Sequence, residues 1–365
     1  MYFDDEPVPG YSLPMLPGHV SPGRFERVLR AGVFAISTEL APPDTADPEE
    51  VFERACVFDG YVDGINATDG SGANCHMSSM AVCALLSRLG YALIMQISCR
   101  DKNRIAIQGD ILGGAAMGVC NMLCLSGDGV QAGDHPQAKP VFDMDSPSLL
   151  EMGTGMRDKC CFQSGRGLTY PPRVFFGASE NPYALPLEWR ARRLAKKVEA
   201  GAQFFQTQYC FDISLLREFL HRVEDLGVFD KAFILPGVGT LPSSKTARWL
   251  RKNVPGVHIP DDLISRLEGA ENPKQEGVDI AVELVQQIRE LKGASGVHIM
   301  AYKMEEYVPE IVQRSGVLEG RTPWYPKRDQ PQEGDAALDR AYPYMPASTE
   351  ENTTGDGSKP TSETI

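Results

Sequence analysis

A short apolar run, a turn and then an amphipathic run recur along most of the chain, and this repetition constrains the fold more than any single motif. Strand-like stretches lie at 34–43 (FAISTELAPP), 60–69, 91–98, 121–127, 173–178, 203–208, 231–236 and 296–301, mostly apolar and bounded by turn residues. Helical patterns fall between them. Residues 22–31 place Phe25, Val28 and Leu29 on one face. The next helix is signalled by Asp47 as N-cap, Pro48 at the first position and Glu49 and Glu50 in the first turn. Further patterns run over 76–89, 103–118, 187–200, 213–226 behind the cap Asp212, 245–253, 261–269, 278–291 and 305–313. Eight strand–helix repeats without a dinucleotide glycine fingerprint predict a (β/α)8 TIM barrel rather than a doubly wound sheet. Two stretches break the rhythm: 129–145 reads as a long turn-rich loop, and 152–172 as an irregular segment before the fifth strand.

A chain of 365 residues, 42% of them hydrophobic, can bury a large core as one domain. The expected division is an irregular N-terminal arm over 1–21, a barrel over 22–320 and a polar tail over 321–365. No apolar run approaches a membrane span. The first residues are acidic and proline-broken, unlike a signal peptide, so a cytoplasmic location is expected. A net charge of −13 argues against nucleic acid binding through a general basic surface. Nine cysteines without a C-x-x-C pair read as reduced thiols in core patterns. No metal site is expected, because the cysteine spacing does not suit zinc or iron–sulfur ligation and the six histidines are scattered.

In a parallel barrel, catalytic groups collect at the C-terminal ends of the strands. The first strand pattern stops at Pro42 and Pro43, which offer no backbone donor, and leaves one carboxylate, Glu39, close to its end. That acid is either a proton donor or a capping, salt-bridged carboxylate. Taking the other strand ends as neighbours adds Thr68 with Asp69, Gln96 with Ser98, Asp128, the segment 177–180, Gln208, a turn at Pro236-Gly237, and Tyr302 with Lys303. Carboxylates from separate strands and two amides, with no cysteine or histidine nucleophile beside a base, suit proton transfer to a hydrogen-bonded heterocycle. Arg190, Arg192, Arg193, Lys196 and Lys197 form a basic cluster on one helix. It is either a solvated face or a pyrophosphate site through Arg193 and Lys197, four residues apart.

Several of these segments resemble one family. T-E-L-A-P-P around Glu39, Thr68, L-S-G-D ending at Asp128, the run G-D-H-P-Q-A-K-P-V-F-D-M-D from Gly133, K-K-V-E-A-G-A from Lys196, T-Q-Y-C-F-D from Thr207 and L-P-G-V from Leu235 are similar to the methylenetetrahydrofolate reductases over about 34–312. The resemblance implies an FAD-binding barrel that moves a hydride between flavin N5 and the one-carbon unit of tetrahydrofolate. It implies Glu39 as general acid, buried in an apolar strand end, and Asp128 as a carboxylate beside flavin and pterin. Gln208, with Lys303 from the strand-end ring, joins Asp128 in binding folate. Thr68, Asp69, Gln96, Ser126, Gly127, Asp128, Asp143, Gly177, Asn181, Lys196 and Lys197 fall on or near flavin positions. Three departures stand out: Gln96 replaces the family's histidine, Ser126 replaces an arginine, and no aromatic lies within 239–246 where the family stacks a nicotinamide. The expected partners are methylenetetrahydrofolate or methyltetrahydrofolate, NAD(P)H or another electron donor, and a second copy of the chain. The competing expectation is a flavin-free pterin or corrinoid methyltransferase barrel.

Overall fold

A computed structural model describes residues 13, 15–321 and 324–326. Eight parallel strands pair in chain order, and the last pairs with the first to close a barrel. They are β1 (Ala35–Leu40), β2 (Gly64–Ala67), β3 (Leu93–Ser98), β4 (Asn121–Leu125), β5 (Phe175–Glu180), β6 (Phe204–Tyr209), β7 (Phe233–Gly239) and β8 (Gly296–Met300). The helices are α1 (Arg24–Arg30), α2 (Pro48–Cys56), α3 (Ser79–Ser87), α4 (Arg104–Ala116), α5 (Ser146–Asp158), α6 (Glu188–Glu199), α7 (Ile213–Asp225), α8 (Ser244–Asn253), α9 (Asp261–Gly269), α10 (Pro273–Arg289) and α11 (Val308–Arg314). The TIM barrel expected from the repeats is therefore the observed fold.

Local chemistry sets the helix starts. Asp47 accepts from the Glu49 N–H, Asn103 from those of Ile105 and Ala106, and Asp212 from that of Leu215, each satisfying donors that the first turn leaves open. Three elements differ from expectation. The stretch read as irregular over 152–172 begins inside α5, which Asp145 caps and Pro147 opens. Its glycines hide the helix, yet Gly153 is there for packing, because a Cβ would lie 2.8 Å from the Phe176 ring. The helix expected at 278–291 starts earlier, at Pro273 behind the cap Asn272. Pro236-Gly237 is no turn either: β7 runs through it to Gly239. Proline cannot donate to a ladder, and the β6–β7 register shifts there, with Gln206 opposite Leu235 and Tyr209 opposite Gly237. Thr207 and Gln208 form a bulge opposite Pro236.

Residues two apart on a strand share a face, so the barrel interior is layered. Ala35, Ile94, Leu123, Phe175, Phe204 and Leu235 form an apolar floor against Phe25, Val28 and Leu29 of α1, which closes the N-terminal end. The Phe204 ring packs edge-on to Phe25 at 5.4 Å and stacks on Phe175 at 5.1 Å. The Glu26 carboxylate, fully buried, holds α1 in place by accepting from the Val20 and Ser21 N–H groups, the Ser21 hydroxyl and Arg30.

Most of the arm and tail expected at 1–21 and 321–365 lies outside the described residues. Where described, both ends pack on the barrel. Arg321 donates to the Phe34 carbonyl and to Asp63, which also accepts from the Ile36 N–H. Trp324 packs against Tyr91 and lies 4.5 Å below the Arg24 guanidinium.

Gly177 sits where a Cβ would meet the Phe204 ring at 2.4 Å. Gly177→Ala should cost about 1–3 kcal/mol by overpacking and Phe204→Ala about 3–5 kcal/mol by leaving a cavity. In the Phe204→Ala background, Gly177→Ala should cost almost nothing; additive losses in urea unfolding would contradict this packing.

Candidate active site

Above the apolar floor the interior turns polar. Ser37, Asn66, Gln206 and His298, contributed by β1, β2, β6 and β8, are all buried. Gln206 Nε2 donates to Ser37 Oγ at 2.9 Å and to Asn66 Oδ1 at 3.0 Å, and Asn66 Nδ2 donates back to Gln206 Oε1 at 2.7 Å. Ser37 Oγ lies 3.0 Å from His298 Nδ1. The belt spans the barrel, and each member answers another's hydrogen-bonding capacity.

Glu39 rests on this belt, two residues beyond Ser37. Its Oε1 lies 3.5 Å from His298 Nε2 and accepts from Gln96 Nε2 at 3.4 Å. The side chain is 33% exposed to the cleft and faces an imidazole and an amide, so the apolar burial expected for this acid is not what holds it. Behind it lies the Tyr209 phenol, whose pKa is raised by burial first and by the Glu39 charge second.

A cleft of about 720 Å³ opens at the strand C-termini. Glu39, Asp69, Gln96, Ser126, Gly127, Asp128, Asn181, Lys196, Lys197 and Gln208 line it together, so the structure brings most of the sequence-derived candidates to one place. Asp128 is exposed there, at the end of a turn that needs glycine: Gly127 has φ +92°, and a Cβ would meet Ser98 Oγ at 2.2 Å. Asp69 accepts from the Ser98 N–H at 2.9 Å and from Lys102 at 3.4 Å. Ser126 Oγ accepts from the Ser146 N–H and so anchors the start of α5. Asn181 donates to the Pro255 carbonyl at 2.7 Å, tying the cleft wall to the segment after α8.

The basic cluster of α6 divides by solvent exposure. Lys197 is buried and donates to the Ser179 carbonyl and to Glu180 at 3.1 Å; burial lowers its pKa, and Glu180 opposes that shift. Arg190 lies 4.0 Å from Glu180. Arg193 and Lys196 are exposed in the cleft and make no ion pair among the described residues. This arc of cations at one end of the cleft suits a multiply charged anion such as a diphosphate.

Four candidates do not line the cleft. Gly177 faces the Phe204 ring. Asp143 is gripped outside by Arg104 through its backbone N–H and its guanidinium, which hold the carboxyl at about 2. Lys303 is exposed, with its ammonium 5.2 Å from the Tyr302 ring. Thr68 is buried at the end of β2, and its hydroxyl has no hydrogen-bond partner among the described residues. Sequence reasoning missed the belt itself. Counting back by two from Glu39 and Gln208 gives Ser37 and Gln206, and His298 is the one polar side chain in its strand.

These features define a (β/α)8 barrel with a strand-end cleft that combines a hydrogen-bonded carboxyl group with a cationic arc. A sequence profile of the methylenetetrahydrofolate reductase family matches residues 24–316, and the chain belongs to that family. Methylenetetrahydrofolate reductase 1 of Schizosaccharomyces pombe is 22% identical over 229 residues, covering 62% of this chain and 36% of that protein. Methylenetetrahydrofolate reductase (NADH) 1 of Arabidopsis thaliana is 24% identical over 310 residues, covering 81% of this chain and 50% of that protein. The chain thus spans half or less of these relatives' length. Among solved structures, an uncharacterized Clostridium thermocellum protein described as binding two copies of 5-methyl-5,6,7,8-tetrahydrofolic acid shares the fold. It has a TM-score of 0.57 and 12% identity, covering 79% of this chain and 99% of that one.

Glu180 has a side chain 1% exposed and depends on Lys197 for neutralisation. Lys197→Met should destabilise the protein by about 3 kcal/mol, near the low end for a broken buried pair because Arg190 remains close. Adding Glu180→Gln should restore most of that loss in urea unfolding; a double variant as unstable as the single one would refute the pairing.

Proposed function

We propose that this protein is an FAD-dependent 5,10-methylenetetrahydrofolate reductase, working towards 5-methyltetrahydrofolate or in the reverse, oxidising direction. The observation that carries this reading is the meeting of Glu39, Asp128 and Gln208, from three separate strand ends, in the same cleft as the cationic arc of α6. The residues fit a flavin dinucleotide. Arg193 and Lys196, exposed in the cleft with no acidic partners among the described residues, would hold its diphosphate. When bound, FAD supplies a hydride donor and acceptor at N5.

The chain's own residues supply the proton and the orientation. Glu39 gives its proton to a folate nitrogen as the methylene bridge opens to an iminium, and His298 and Gln96 fix the direction in which that carboxyl points. Asp128, exposed at the Gly127 turn, accepts from the donor groups of the pterin. Gln208 presents its NH2 group, which has no partner among the described residues, while its Oε1 accepts from the Tyr209 N–H at 3.0 Å. The reductant is NAD(P)H or another electron donor. The segment after β7 carries no aromatic over 240–246, which leaves Tyr209 and Phe211, stacked at 5.6 Å, as the aromatic pair against Gly239.

The purified full-length protein should carry flavin absorption bands that bleach anaerobically with methyltetrahydrofolate. Glu39→Gln should lower turnover by ~10²–10⁴-fold while those bands stay intact. A colourless protein that takes up no flavin would instead favour the methyltransferase-type barrel, and full turnover by the Glu39 variant would overturn the acid assignment.

A further inference from the structure

At the bulge in β6, two side chains that the proposed reaction does not use converge on the Gln208 carbonyl. The Thr207 hydroxyl donates to the Gln208 carbonyl at 2.9 Å, and the Cys210 thiol donates to it at 3.2 Å. Thr207 Oγ1 and Cys210 Sγ are themselves 3.2 Å apart. The Gly237 N–H donates to Thr207 Oγ1 at 2.9 Å, and the Cys210 N–H donates to the Gly237 carbonyl at 2.8 Å. Gly237 has to be glycine, since a Cβ would lie 2.3 Å from the Thr207 carbonyl and 2.8 Å from that of Gln208. The bulge is therefore clamped from both strands. Cys210 is fully buried and does not line the cleft. Burial pushes its thiol up to about 11, so it remains an S–H donor at neutral pH and does not act as a thiolate.

We propose that Thr207 and Cys210 are positioning residues that aim the Gln208 amide into the cleft by fixing its carbonyl on the opposite side. This rests on the reading of Gln208 as a folate contact. A bulge re-aims a side chain, but its extra residues lack ladder bonds and are free to settle in more than one way. Thr207 and Cys210 hold the backbone carbonyl of Gln208 and so set where its side chain begins, and the Tyr209 N–H holds the side-chain Oε1, which orients the NH2 group.

The test is steady-state kinetics of the flavin-loaded, full-length protein with the folate substrate, read as separate KM and kcat values. Cys210→Ala should raise the folate KM by about five-fold, the worth of one modest hydrogen bond, with kcat and flavin content close to wild type. Cys210→Ser, which keeps a donor, should recover most of that loss. Gln208→Ala should raise KM further, and Gln208→Ala/Cys210→Ala should match Gln208→Ala alone, because Cys210 acts only through Gln208. Should Cys210→Ala fail to fold, Cys210→Val, which also removes the donor, replaces it with the same expected pattern, since Thr207 lines the cleft itself. An unchanged KM in Gln208→Ala would overturn the folate role of Gln208, and with it this inference. A raised KM in Gln208→Ala combined with no effect of Cys210→Ala, or with additive effects in the double variant, would overturn the positioning role and leave the folate role of Gln208 intact.

Discussion

The interior of a closed barrel is short of water, so a polar side chain that points inward must find its partner there or remain at a large desolvation penalty. The belt of Asn66, Gln206, Ser37 and His298 meets this requirement across four strands. It also decides where the chemistry can stand. Beneath it the aromatic floor excludes polar groups; above it the next inward position on β1 is Glu39, supported by an imidazole whose other nitrogen is already engaged. Acid placement follows from a satisfied network below it, not from apolar burial around it.

Much of the fold was legible because the repeating strand pattern and the capping residues act locally. Asp47 and Asp212 mark helix starts by short-range hydrogen bonds that the sequence pattern already signals. What escaped were positions whose reason lies across the barrel. Gly153 and Gly155 make α5 look irregular, although the first is glycine only so that the helix can approach Phe176. Pro236-Gly237 looks like the turn that ends a strand, yet β7 continues through it to Gly239, with β6 bulged opposite Pro236.

The site was legible in the same measure. Glu39, Asp128, Gln208 and the α6 cations follow from their places at strand ends and on a helix face, and they share one cleft. Gly177, Asp143 and Lys303 fall outside it for reasons sequence spacing cannot carry: a ring packed against a backbone, an arginine reaching from α4, and a side chain lying over its neighbour's ring. His298 was hidden in an otherwise apolar strand, since only the closing β8–β1 pairing brings it beside Ser37 and Glu39.

Because α1 seals the N-terminal end with Phe25, Val28 and Leu29, the cleft is a cul-de-sac. Anything seated deep within it departs only after whatever lies nearer the opening has gone. Whatever enters and whatever leaves must therefore use one doorway, the ring of strand C-termini, with no passage through the barrel to its far side.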